Sequence, residues 1–181
     1  AVRGSALFPP CQGILGGLFF YNLKAMGFNT VETYIPWNIH EPEEGIFDFD
    51  GNKDVECFVR LAGELGLHVI LRPSPFICAE WEFGGLPPWL LRYGDMKVRT
   101  NTPLFLGKVE AYYKELFRRI APLQATCGGP VIMMQVENEY GSFGNDKEYL
   151  RAIKRLMEEM GPRCLFLLRM EHGTLHWKPE A

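Results

Sequence analysis

The sequence has little that would mark a membrane, nucleotide or nucleic-acid protein. No apolar run approaches the ~18 residues of a membrane span. There is no G-x-G-x-x-G and no Walker loop, so nucleotide-binding versions of an α/β fold have no support. Positive charge is not in excess: Lys+Arg is 19 against Asp+Glu 22, a net charge of -3. A nucleic-acid footprint needs clustered positive charge, so that class is set aside. The five cysteines, Cys11, Cys57, Cys78, Cys127 and Cys164, are odd in number and never spaced C-x-x-C. Zinc-ribbon and thioredoxin readings fail, and buried free thiols in a reducing compartment are expected. No initiator Met and no small-x-small cleavage site accompanies the apolar stretch Gly13 to Phe20. A signal peptide is therefore not expected, and the expected location is the cytoplasm.

What is present is one domain's worth of chain, 181 residues, 47% apolar and 13% aromatic. That is enough to bury a core. From residue 29 short apolar runs alternate with amphipathic segments. Thr30–Pro36, His68–Arg72 and Val131–Val136 read as strands, with a last apolar run at Cys164–Leu168. Asp54–Leu65 reads as a helix stopped by Gly66. Thr102 can cap a second helix with Pro103 at its first position, running to Pro122, and Asp146 caps a third that ends at Gly161. The order is β-α-β-α-β-α-β, an α/β fold with a parallel sheet. The period alone does not separate an open doubly wound sheet from a barrel.

In either architecture a ligand lies at the carboxyl ends of the strands. The first strand is followed by Trp37, Asn38, His40 and Glu41, and the third by Glu137-Asn138-Glu139-Tyr140. The second is followed by a long connection, Pro73 to Asn101, holding Glu80, Trp81, Glu82, Phe83 and Trp89. Carboxylates mixed with aromatics at such a mouth suit sugar chemistry. Aromatic faces stack on pyranose C–H faces, and carboxylates accept hydroxyls or act as acid, base or nucleophile. Each residue also has a plainer alternative. The three tryptophans can pack loops, and His40 can bond loop backbone. Glu41, Glu43 and Glu44 can be a solvated run, and Glu137 a buried acceptor. Glu139 is harder to dismiss, because a carboxylate at an apolar strand's end is costly unless paired or functional.

At Gly128–Tyr140, GGPVIMMQVENEY, the sequence resembles the signature of glycoside hydrolase family 35, the β-galactosidases. The likeness extends over YNLKAMGFNTVETYIPWNIHEPEEGIFDFDG and LGLHVILRPSPFICAEWEFGGLPPWLL, from Tyr21 to about Cys164, and is most like bacterial members. The resemblance implies a (β/α)8 TIM barrel, present here as a partial one, and retaining hydrolysis of terminal β-galactosyl residues. It implies Glu139 as general acid/base, Asn138 as holder of the sugar 2-hydroxyl, and Tyr34 as a wall of the galactose pocket. Ala79 and Glu80 would bind sugar hydroxyls. The implied partner is a β-galactoside, with no metal, cofactor, nucleic acid or membrane.

The family's nucleophile is a second glutamate on a later strand, about 5–5.5 Å from the acid. No position before Ala181 matches that motif, so this chain is expected to carry half the catalytic pair and to be inactive alone. A sugar-binding remnant without turnover and a related β-glycosidase are the alternatives. Residues 1–20 and about 165–181 do not resemble the family, leaving 21–164 as the partial barrel. Both ends read as out-of-frame translation. A one-base shift of Leu167–Ala181 permits F-T-S-D-G, like the family's next strand; a shift of Ser5–Phe20 permits Y-F-R then W-E-D-S, like its opening segment. The nucleotide sequence across both joints is the direct test, and an in-frame read through them would refute it.

Overall fold

A computed structural model describes residues 2–3, 14–161, 163–170 and 173–177. In chain order its main elements are β1 (Val2–Arg3), α1 (Ile14–Ala25), β2 (Thr30–Tyr34), α2 (Trp37–His40), α3 (Val55–Glu64) and β3 (His68–Arg72). Then follow α4 (Pro103–Ile120), β4 (Val131–Gln135), α5 (Tyr140–Phe143), α6 (Lys147–Glu159), β5 (Leu165–Met170) and β6 (Gly173–Trp177). The sheet runs β1-β2-β3-β4-β5-β6, with the first five strands parallel and β6 antiparallel to β5.

That order resolves the ambiguity left by periodicity. A doubly wound sheet reverses its strand order at a switch point. Here each new parallel strand is added on the same side, which is the winding of a (β/α) barrel. The architecture is a partial α/β barrel. The antiparallel β6 departs from the barrel pattern, where a parallel strand would follow a helix.

The helices form where the sequence spacing places them. Asp54 accepts from the Cys57 N–H and Asp146 from the Tyr149 N–H, so both side chains cap their helices. Thr102 stands at the N-cap of α4 with extended backbone, but its hydroxyl lies 3.2 Å from that of Thr100 instead of bonding the helix. Within residues 1–20, Phe20 of α1 is fully buried and meets Phe58 of α3 edge-on at 4.9 Å. Leu18, Phe19 and Tyr21 of the same helix face outward. The out-of-frame reading concerns bases and is untouched by this packing.

The core lies between the sheet and its helices. Val31, Val69, Leu71, Val131 and Met134 face Val55, Phe58, Val59, Tyr112, Leu116 and Ile153. Two glycines make opposite predictions. A Cβ on Gly129 would lie 1.9 Å from the backbone oxygen of Leu123, so Gly129→Ala must displace main chain. It should cost about 1–3 kcal/mol. A Cβ on Gly107, on the exposed face of α4, meets nothing within 4 Å. Gly107→Ala should stabilise by about 0.5–1 kcal/mol. Urea melts of the two variants check the pair; equal midpoints would contradict it.

Candidate active site

Two clusters of side chains converge at the carboxyl ends of β2, β3 and β4. The first is built on Arg72, the last residue of β3 and only 4% exposed. Its Nη1 donates to the Tyr34 hydroxyl at 2.5 Å, and its Nη2 to Asn138 Oδ1. The guanidinium also lies 4.1 Å from the Tyr34 ring centre and 3.4 Å from a Glu32 oxygen. A buried guanidinium requires such partners. Three strand ends are thereby tied together.

The second cluster is built on Glu137, whose side chain is wholly buried. Arg99 donates to both its oxygens at 2.8 Å, in the fork geometry that favours arginine. The same guanidinium donates to the Asn138 carbonyl at 2.9 Å and lies 3.9 Å from the Phe76 ring centre. The Tyr149 hydroxyl and the Asn138 N–H also donate to Glu137, at 3.0 and 2.6 Å. Burial pushes the Glu137 carboxyl above its ordinary range, and Arg99 opposes the shift. Glu137 is thus the buried acceptor of the plainer reading.

Its role is local geometry. Glu137 and Glu139 both take left-handed backbone, at φ 54° and 51°. Such residues cost about 1–2 kcal/mol each and persist where surroundings over-determine them. The Arg99–Glu137 pair supplies that constraint around Asn138. Glu139 then stands half-buried at the start of α5.

Tyr34 and Asn138 are brought together, with Glu139 adjacent in the chain. Ala79 and Glu80 are exposed on the loop after β3, in a left-handed run at φ 52° and 55° that closes with Trp81 N–H donating to the Cys78 carbonyl at 2.8 Å. Among the described residues no hydrogen bond joins Glu80 to Tyr34 or Asn138. Arg72, Arg99 and Gln135 were not singled out from sequence. A lone charge closing an apolar strand is the signal that marks Arg72.

The aromatic candidates divide. Trp37 is fully buried, stacked on Tyr112 at 5.2 Å and edge-on to Trp89 at 5.8 Å; both tryptophans are core. Trp81 is half-buried and donates to Asn38 Oδ1 at 3.2 Å, and Phe83 is exposed. Glu41 is not part of a solvated run. It is buried, accepting from Trp37 Nε1 at 2.5 Å and Gly45 N–H at 2.8 Å, and burial raises its pKa.

His40 is fully buried, stacked on Phe49, with Nδ1 3.0 Å from the Asp48 carbonyl. Burial lowers its pKa from 6.5 to about 4. The unfolded chain therefore binds a proton that the folded one refuses between those values. Stability should rise with pH from about 4 to 6.5 by roughly 3 kcal/mol, then level. His40→Gln should flatten that segment of the curve; an unchanged slope would contradict the assignment.

A cavity of about 550 Å³ lies elsewhere, at the opposite, amino ends of the strands, lined by His68, Cys127, Gly128 and Pro130 among others. Barrel chemistry sits at the carboxyl ends, so we place no reaction there. Among the described residues no cluster of three or more His, Cys, Asp or Glu could hold a metal, and no helix is long and apolar enough to cross a membrane.

The family model described as glycosyl hydrolases family 35 matches residues 18–181. The chain belongs to glycosyl hydrolase family 35. Human β-galactosidase-1-like protein 2 is 52% identical over 77% of this chain, and 1-like protein 3 is 53% identical over 85%. A β-galactosidase of Xanthomonas manihotis is 52% identical over 76%, so identity does not separate animal from bacterial relatives. The family 35 chain spans 22% to 23% of those relatives' lengths. Solved structures agree on the fold. A GH5_18 protein of Streptomyces cattleya superposes with TM-score 0.68 at 19% identity, covering 85% of this chain and 38% of its own. Endoglucanase Cel5A of Thermotoga maritima gives 0.57 at 18%, covering 93% and 51%.

Proposed function

We propose that this chain supplies one half of a retaining β-galactosidase site: the galactosyl-binding residues and the acid/base. Glu139 gives its proton to the glycosidic oxygen as the bond from that oxygen to the anomeric carbon breaks. It then takes a proton from the water that releases the sugar. The nucleophile that holds the sugar between those steps belongs to a later strand outside this chain. Asn138 holds the 2-hydroxyl, Tyr34 lines the pocket, and Ala79 and Glu80 take further hydroxyls. The observation that carries this reading is the pinned turn at the end of β4. A bidentate arginine, a buried carboxylate and two left-handed residues are spent on presenting Asn138 and Glu139 at the mouth.

Aryl β-galactosides, β-glucosides and β-N-acetylglucosaminides, assayed with the longest protein carrying this sequence, test it. Galactoside should be the preferred substrate; preference for a glucosaminide would reassign the specificity. Galactose binding without turnover would favour a sugar-binding remnant.

A further inference from the structure

We propose that Phe76 is a positioning residue that ties the loop bearing Ala79 and Glu80 to the turn bearing Asn138 and Glu139, so that loop and turn hold one shared position. Loop 77–84 closes on itself. Ile77 N–H donates to the Gly84 carbonyl at 2.7 Å, Gly84 N–H to the Trp81 carbonyl at 2.9 Å, and Trp81 N–H to the Cys78 carbonyl at 2.8 Å. Cys78, Ala79, Glu80, Phe83 and Gly84 all take left-handed backbone. Residues other than glycine hold that conformation where their surroundings impose it. These closures set the loop's shape but not its place against the strand ends. On one side Trp81 Nε1 ties it to Asn38, after β2, at 3.2 Å. Toward β4 the link runs through Phe76.

Phe76 leads into the loop and is half-buried. A Cβ on Gly84 would lie 1.9 Å from its ring, so the residue that closes the loop rests directly on that ring. The ring in turn meets the Arg99 guanidinium, 3.9 Å from its centre. That guanidinium belongs to the turn, where it donates to both Glu137 oxygens and to the Asn138 carbonyl. It also lies 5.2 Å from the Tyr140 ring centre, and a Cβ on Gly144 would lie 2.4 Å from that second ring. Loop and turn are thus joined in series by glycine, ring, cation, ring and glycine. Cation and ring attract, and groups packed this closely pass a displacement on instead of absorbing it. A ring that only filled space would disturb its own surroundings when altered. A positioning ring carries the change across to the other side.

Coupling at equilibrium is reciprocal, and hydrogen exchange on the full 181-residue chain reads it in both directions without a ligand. Gly84→Ala drives a Cβ into the Phe76 ring. The Asn138 N–H, on the far side of Arg99, should then exchange faster by about tenfold more than the amides of Val59 in α3 and Ile153 in α6. Glu137→Gln keeps the size of the side chain and loosens Arg99 from the turn. It should speed exchange of the Trp81 and Gly84 N–H groups against the same two references. Faster exchange confined to 76–86 in Gly84→Ala would overturn the proposal. So would a rise shared equally by Val59 and Ile153, because that is lost global stability and not a shared position. Where Gly84→Ala does not fold, Phe76→Leu gives the same readout, since it removes the ring and adds no bulk.

The consequence for a ligand rests on the galactosyl-binding reading. Phe76→Leu should weaken D-galactose binding, measured by calorimetry, by about three- to tenfold, the worth of one misplaced neutral hydrogen bond. Unchanged affinity in a variant whose Asn138 exchange has risen would overturn the positioning role. Absence of galactose binding by the unaltered chain would count against the galactosyl reading, and exchange would then decide the link between loop and turn by itself.

Discussion

Replacing Glu139 by Gln in the full-length protein that carries this sequence should lower kcat on a galactoside with a poor leaving group by roughly 10²–10⁴, the range of general-acid loss. The substitution keeps size and hydrogen bonding while removing the proton that the glycosidic oxygen needs. A good leaving group departs without help, so its first step should fall far less. The second step still needs a base, and an added small anion such as azide, which needs none, should recover part of the rate. Folding should be little changed, since Gln keeps the size of the side chain and the buried ion pair at this turn is made by Glu137. Unchanged turnover on a poor leaving group would reject the assignment and return Glu139 to the ranks of ordinary polar residues.

The second large effect concerns the neighbouring carboxylate. Arg99→Met should destabilise the chain by about 3–5 kcal/mol, the usual consequence of stranding one member of a buried ion pair. For a chain of this size that lowers Tm by roughly 10 °C. Glu137 would then keep the Tyr149 hydroxyl and the Asn138 N–H as partners but lose both charge-assisted bonds. Adding Glu137→Met should recover part of the loss, because the stranded charge is gone. It should not recover all of it, since Tyr149 and the Asn138 N–H would lose their acceptor. A loss below about 1 kcal/mol from Arg99→Met would mean that the pair is not what pins the turn. Galactose affinity should fall in both variants, because Asn138 depends on that turn.

Much of this was legible in the chain because local chemistry decided it. The strands at Thr30, His68 and Val131 and the helices opened by Asp54 and Asp146 follow from period and capping, which need only near neighbours. What sequence reading could not supply was pairing at a distance. Arg72 meets Asn138 across 66 residues, and Arg99 meets Glu137 across 38. No local pattern names such partners. Glu41 fails for the opposite reason. Its neighbours Pro42, Glu43 and Glu44 look solvated, yet the turn of α2 places Trp37 Nε1 on it and α4 roofs the site with Tyr112. The same roof moved Trp37 and Trp89 from candidate sugar platforms into the core. Strand order was the other missing piece. Only the register of β2 through β5 distinguishes barrel winding from an open sheet.

Family membership brings the expectation of galactose, but the chain covers less than a quarter of the curated relatives it matches. The claim that needs a direct test is that the cluster at the ends of β2, β3 and β4 holds a galactosyl unit. Titrating the ¹⁵N-labelled chain with D-galactose, and with D-glucose as control, provides it. Galactose-dependent amide shifts should centre on Tyr34, Ala79, Glu80, Asn138 and Glu139, with a much weaker response to glucose. Shifts confined to the amino-end cavity around His68 and Gly128, or none at any of the five residues, would contradict it.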